Sequence, residues 1–187
     1  MSESGRLQVQ ITSDGVLEGR NVSSYRKLFQ DIGDIYENAA GMNPAEVMYD
    51  VYSYAEGQAQ AGNLQAGLTV LYPILVNGEC NMTRGHWHAD RGCAEIYAGV
   101  QGIGLLLLMN DAGETWAEQV FPGSVHHIDG RLAHRLVNTG DVPLRVGAVW
   151  SCAAGHDYDS VAKHGFGLRV YREQDRVVMK KAGMHED

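Results

Sequence analysis

"TRGHWHADRGCAEIY", residues 83–97, decides how this chain is read. In an extended chain, positions two apart share a face, so His86 and His88 project together. Two imidazoles at that spacing can chelate one ion. Glu95 follows seven positions after His88 and, from the next strand, can reach the same face. Trp87 and Cys93 read most simply as barrel packing.

Histidine placement extends the pattern. Seven of the eight histidines lie between positions 86 and 164. His134, on a later strand, can join His86, His88 and Glu95. Three neutral imidazoles and one carboxylate suit Zn, Fe, Mn, Ni or Cu. A bare His-x-His also fits histidines with ordinary hydrogen bonds. His126 and His127 are adjacent and face opposite ways on a strand, so they are read as structural or peripheral. His164 and His185 are expected at the solvent surface.

The surroundings read as short strands. After Pro44 come "VMYDVYSY", "LTVLYPIL", "AEIYAGVQG", "GLLLLMN", "TWAEQVF", "SVHHID", "AHRLVNTG" and "LRVGAVW", separated by turn signals such as "NGE", "DAGE", "FPG" and "NTGD". Strands this short and regular predict an antiparallel sandwich or barrel. "GLLLLM" (104–109) lacks alternation, which predicts a strand buried on both faces or covered by a partner chain. "GFGLRVYREQDRVVMKK" reads as a further hairpin turning near "REQD". Upstream, Tyr25, Leu28, Phe29, Ile32 and Ile35 keep a partial 3.6-residue period, and Ser23 or Ser24 can cap it. A short helix is expected within Val22–Asn38. The chain is read as one all-β domain over 1–187. It divides into an N-terminal arm and helix over 1–45, a barrel over 46–170, and a C-terminal strand and tail over 171–187.

Composition narrows the function classes. The 187 residues are 44% hydrophobic, and 15 basic minus 23 acidic residues give a net charge of −8. That excludes general affinity for nucleic acid or an anionic membrane. An anionic substrate therefore needs a local solution: backbone N–H groups, hydroxyls or a metal. No apolar run reaches the length of a membrane span, and "MSESGRLQVQ" has no apolar signal core. Cys80, Cys93 and Cys152 are odd in number and lack Cys-x-x-Cys spacing, as expected of free thiols in a cytoplasmic protein.

Three motifs act together. His-x-His joins E-x6-G in "EIYAGVQG" (Glu95 to Gly102) and H-x3-N in "HRLVN" (His134 to Asn138). The set resembles the two motifs of the cupin superfamily, small antiparallel β-barrels with a His/His/Glu/His metal site. Two departures stand out. Six residues, "ADRGCA", separate His88 from Glu95 where cupins usually have three or four, and "DGRLAH" lacks the usual proline.

One family shares the long gap. "TRGHWHADRGCAEIYAGVQGIG" with "AAGHDYDSVAKHGFGLRVY" resembles the cupin-type glucose-6-phosphate isomerases of archaea and some bacteria. The tyrosine-rich "MYDVYSYA", the "TVLYP" strand and the A-G-H-D-Y loop add to the likeness, which spans Val47 to Val170. The resemblance implies an aldose–ketose isomerase acting on glucose 6-phosphate and fructose 6-phosphate. It implies one divalent ion per subunit on His86, His88, Glu95 and His134, iron first, with manganese, zinc or nickel as alternatives. It matches Thr69, Thr83 and Gly85 to phosphate-binding positions, and Tyr49, Tyr97, His156 and Tyr158 to the sugar site. Trp150 stands at a substrate position where the family commonly has tyrosine.

The chemistry leaves choices open. Glu95 can carry a proton from C2 to C1 through a cis-enediol, or remain a ligand during a metal-polarised hydride shift. His156 and Tyr158 can assist ring opening, and Tyr97 is a further catalytic candidate. Arg84 is a possible phosphate clamp. On a regular strand Arg84 and His86 point alike and Thr83 points away, so a bulge is required near Gly85. Two other classes fit the same ligands: a non-haem metal dioxygenase, and a non-catalytic sugar-binding cupin. A homodimer paired through a sheet is expected.

Overall fold

The computed structural model describes residues 9–56, 60 and 62–183. Strands dominate. In chain order they are β1 (Val9–Ile11), β2 (Leu17–Gly19), β3 (Val22–Leu28), β4 (Val47–Ala55), β5 (Leu64–Leu71), β6 (Leu75–Val76), β7 (Glu79–Cys80) and β8 (Glu95–Gln101). They continue as β9 (Gly104–Met109), β10 (Thr115–Val120), β11 (Val125–Ile128), β12 (Ala133–Asn138), β13 (Leu144–Ser151), β14 (Leu168–Glu173) and β15 (Arg176–Lys181). Two short helices complete the set: α1 (Phe29–Ile32), which runs into a 3-10 turn at Gly33–Ile35, and α2 (Asp159–His164).

All the paired strands run antiparallel. The largest sheet has six strands in the order β11-β8-β13-β5-β4-β3. A second sheet, β10-β9-β12, faces it across the core, and a third runs β15-β14-β7-β6. The antiparallel all-β expectation is met. "GLLLLM" is β9, the middle strand of its sheet, and all six residues are buried. Leu106 and Leu108 pack with Leu136 of the same sheet and with Met48, Leu71 and Val146 of the large one. Each such leucine contributes roughly 1.5–3 kcal/mol by leaving water. The C-terminal hairpin turns at Gln174 and Asp175, both at positive φ (47° and 62°). Two left-handed residues give the turn twist that matches strand twist.

The short helix expected within Val22–Asn38 is present but confined to Phe29–Ile32, and the seven residues before it are strand. Val22–Leu28 pairs with β4 as the edge of the large sheet, Tyr25 opposite Val51. Helix starts only at Phe29, where Asp31 accepts the Leu28 N–H at 2.9 Å. Neither serine caps it. Pairing along seven residues overrides a weak local period. α2 is a second short helix that the sequence pattern did not reveal. Among the described residues no helix is long and apolar enough to cross a membrane.

Candidate active site

The site is built where an irregular extended segment meets β12. His86 and His134 exchange backbone hydrogen bonds, His86 N to His134 O at 3.2 Å and His134 N to His86 O at 3.0 Å. That bridge sets their rings 4.3 Å apart. Gly85 makes the approach possible. Its φ is +77°, and a Cβ there would lie 2.9 Å from the Phe166 ring and 3.0 Å from His134 O. Only glycine takes that conformation without strain. The left-handed residue also breaks the strand alternation, so Thr83, Arg84, Gly85 and His86 all line one cleft. This is the irregularity that the "TRGH" pattern required.

The ligand set converges. His88 is 1% exposed, and its Nδ1 lies 2.6 Å from Cys93 O. His134 Nδ1 lies 3.3 Å from Leu132 O. Both carbonyls hold the proton on Nδ1 and leave Nε2 facing inward. His88 Nε2 lies 3.2 Å from Glu95 Oε2, and His134 Nε2 lies 3.1 Å from the same oxygen but is poorly aligned for a hydrogen bond. One donor atom from each of His86, His88, Glu95 and His134 falls within 4.8 Å of the others. The buried Nε2 atoms of His86 and His134 have no hydrogen-bond partner. Buried orphans are costly, and an ion between the four donors relieves both. The residues present fit a metal ion.

Electrostatics agree with that donor set. Burial, with His134, His156 and His88 nearby, holds His86 far below the ordinary imidazole range, so it is neutral. Burial alone would lower His88 and raise Glu95; polar contacts outweigh it, Glu95 and the Cys93 carbonyl raising His88, and His134 with His88 lowering Glu95. Glu95 is therefore an anion. Burial, then Glu95, pushes Tyr97 well above the usual phenol range. Burial also lowers His156, leaving a neutral imidazole.

The cleft holds about 230 Å³. Every residue matched to substrate lies on its wall: Tyr49, Thr69, Thr83, Gly85, Tyr97, Trp150, His156 and Tyr158. The Thr83 hydroxyl accepts the Leu136 N–H at 3.0 Å, which leaves its own O–H to donate. Trp150 crosses from β13 to Gly67, where an added Cβ would stand 3.0 Å from the indole. The loop carrying His156 and Tyr158 is tied to the metal segment: Asp157 N donates to Trp87 O at 2.8 Å, and Asp90 N to Ala154 O at 2.8 Å. The His156 ring consequently lies 4.5 Å from His86 and 5.7 Å from Tyr158.

Arg84 lines the cleft, but its guanidinium is held by Asp34 at 2.6 and 2.9 Å and by Asp31 O at 2.8 Å. Tyr25, Val51 and Ser53 also line the cleft and were not anticipated. Their positions follow from β3 and β4 being paired, which the helix reading of Tyr25 concealed.

The other histidines lie elsewhere. His126 Nδ1 meets Glu118 Oε2 at 2.6 Å and its Nε2 meets Ser124 Oγ at 3.0 Å. The order resembles a nucleophile triad, yet Ser124 is 7% exposed and its hydroxyl accepts the Phe121 N–H at 3.1 Å, which braces the "FPGS" turn. His127 and His164 are exposed; His185 lies outside the described residues. Trp87 is buried in the core, whereas Cys93 supplies the carbonyl that orients His88. All three cysteines are free thiols.

Solved structures with a similar chain path include oxalate decarboxylase from Bacillus subtilis, with a TM-score of 0.47 and 18% identity over 58% of this chain and 26% of that one. An oxalate oxidase in complex with glycolate gives a TM-score of 0.45 and 14% identity, over 75% of this chain and 56% of that one. Sequence relatives are much nearer. The glucose-6-phosphate isomerase of Thermococcus litoralis is 35% identical over 170 residues, 89% of this chain and 88% of that protein. The glucose-6-phosphate isomerase of Pyrococcus horikoshii is 38% identical over 168 residues, 87% of each. Residues 23–186 match the glucose-6-phosphate isomerase family as a whole, so the strand–cleft–loop arrangement described above is that of a chain belonging to this family.

Proposed function

We propose that the cleft interconverts glucose 6-phosphate and fructose 6-phosphate with one divalent ion held by His86, His88, Glu95 and His134. The observation that carries this reading is the pair of buried, unpartnered Nε2 atoms beside a carboxylate at the base of a hydroxyl-rich cleft. Iron is the first choice, with manganese, zinc or nickel able to use the same ligands. When bound, the ion supplies positive charge that polarises the sugar oxygens at C1 and C2 and stabilises the charge that develops there.

The chain's own residues do the rest. Glu95 is the sole carboxylate among the described residues lining the cleft. It takes the proton from C2 of the open-chain aldose and returns it to C1, while a second proton passes from the C2 hydroxyl to the C1 oxygen, so that one base serves one face. Tyr97 keeps its proton and donates a hydrogen bond to a sugar oxygen. Neutral His156, stacked near Tyr158, moves the hydroxyl proton during ring opening. Thr69 and Thr83 hydroxyls, the Gly85 N–H and the Trp150 indole N–H hold the phosphate with neutral donors, which suits a chain of net charge −8. Tyr49 closes the sugar-facing wall.

Free thiols support a cytoplasmic protein. Ile96, Val125 and Val149 are exposed on the outer face of the six-stranded sheet and support pairing of two copies there. Purified protein tested for fructose 6-phosphate conversion in a coupled assay should turn over. Absence of turnover with iron, manganese, zinc and nickel each supplied would sink the isomerase reading.

A further inference from the structure

Behind the cleft lies a second cavity of about 180 Å³, between α2, the 3-10 turn and β12. Its charged lining is unlike the rest of this acidic molecule. Arg84, Arg135, Lys163 and Arg169 face it, with His164, against one lining carboxylate, Asp34.

Pairing accounts for only half of those cations. Arg84 is matched by Asp34, and Arg169 by Glu79 at 2.8 Å. Arg135 and Lys163 have no carboxylate in ion-pair reach among the described residues. Arg135 is the stronger anomaly. It is 7% exposed, its Nε has no hydrogen-bond partner, and its Nη1 meets only the Met82 sulfur at 3.1 Å. Nη2 donates to Arg84 O, and the plane lies 4.4 Å over the Phe166 ring. A buried guanidinium without a carboxylate is expensive to maintain. Two unmatched positive charges at one small cavity, one buried and one at the mouth, match one dianion.

We propose that this cavity is a second anion site, taking a free phosphate dianion on Arg135 and Lys163, separate from the substrate phosphate seat. Guanidinium and ammonium are the two side chains that bind phosphate most strongly. The cavity is small and polar, which favours a free phosphate over a large ester. Arg84 forms the wall between this cavity and the cleft, lining both.

Inorganic phosphate, titrated into the full-length protein by calorimetry, tests the site. Wild type should show two binding steps per chain: one displaced by fructose 6-phosphate, one not. Lys163→Glu, an exposed position on α2 that touches none of the proposed catalytic groups, should weaken the undisplaced step about tenfold or more and leave the displaced step unchanged. Arg135→Gln should do the same. A single step that Lys163→Glu abolishes supports the rear site while counting against the proposed front phosphate seat. A single step that fructose 6-phosphate displaces and Lys163→Glu leaves unchanged overturns the second site. So do two steps that Lys163→Glu leaves at wild-type strength, an adventitious ion only.

Discussion

His86 and His134, 48 positions apart in the chain, are joined by reciprocal backbone hydrogen bonds of 3.2 and 3.0 Å. Two of the four proposed metal ligands are therefore held together by main chain. His134→Ala keeps the bridge and removes one donor. It should fold, with a thermal midpoint near that of the metal-free wild type, while metal retention falls by more than about 100-fold. Metal content after dialysis, measured by mass spectrometry, checks this; wild-type content would contradict the ligand assignment.

Gly85→Ala attacks the same bridge from the backbone. An alanine forced to positive φ costs about 1–2 kcal/mol, and its Cβ meets His134 O and the Phe166 ring. For a chain of this size the thermal midpoint should fall by roughly 2–8 °C, and bound metal should fall with it. A fully stable, metal-replete variant would show that the turn tolerates a side chain.

Trp150 tests the phosphate wall. Trp150→Ala removes the indole N–H and opens the space over Gly67, and should raise KM for fructose 6-phosphate by about tenfold or more, as loss of a hydrogen bond to a charged group does. Trp150→Tyr keeps a donor and should stay near wild type. Steady-state kinetics at fixed metal content separate the two; equal KM values for all three proteins would remove Trp150 from substrate binding.

Asp50 gives a pH signature remote from the metal. Burial acts to raise it, but bonds from Arg26 (2.7 and 3.0 Å) and Tyr72 (2.8 Å) outweigh this and hold it below its ordinary value of 3.8. A depressed folded-state value means that protonation favours unfolding. The contribution is complete above pH 3.8 and is lost as pH falls through the folded value. Asp50→Asn should lower the thermal midpoint at pH 7, and the gap to wild type should close below about pH 3.8. A gap that stays constant with pH would contradict the linkage.

Much of this site was legible because strand alternation is a strong rule. His-x-His put both imidazoles on one side with Trp87 turned into the core, and the later His134 and Glu95 followed from motif spacing. Short strands between glycine and asparagine turns gave the antiparallel architecture, and the unbroken "GLLLLM" gave its fully buried strand. The error at Val22–Leu28 has a physical source. Tyr25, Leu28, Phe29 and Ile32 keep helical spacing, but seven residues along an open sheet edge gain more by pairing with β4 than by starting a helix. That error hid Tyr25 from the cleft. The pairing of Arg84 was hidden for a similar reason: its partner Asp34 is 50 residues away, and no local pattern announces it. The unpaired state of Arg135 is invisible in sequence because it depends on which carboxylates the fold leaves out of reach.

The central claim is that turnover of a phosphorylated hexose depends on an ion at His86, His88, Glu95 and His134. The most direct measurement is coupled-assay turnover of fructose 6-phosphate before EDTA, after EDTA, and after re-addition of iron, manganese, zinc or nickel singly. Activity should disappear with the ion and return with at least one metal, while Glu95→Gln stays about 100-fold or more below wild type at equal metal content. Full turnover by protein with no detectable metal would contradict the account.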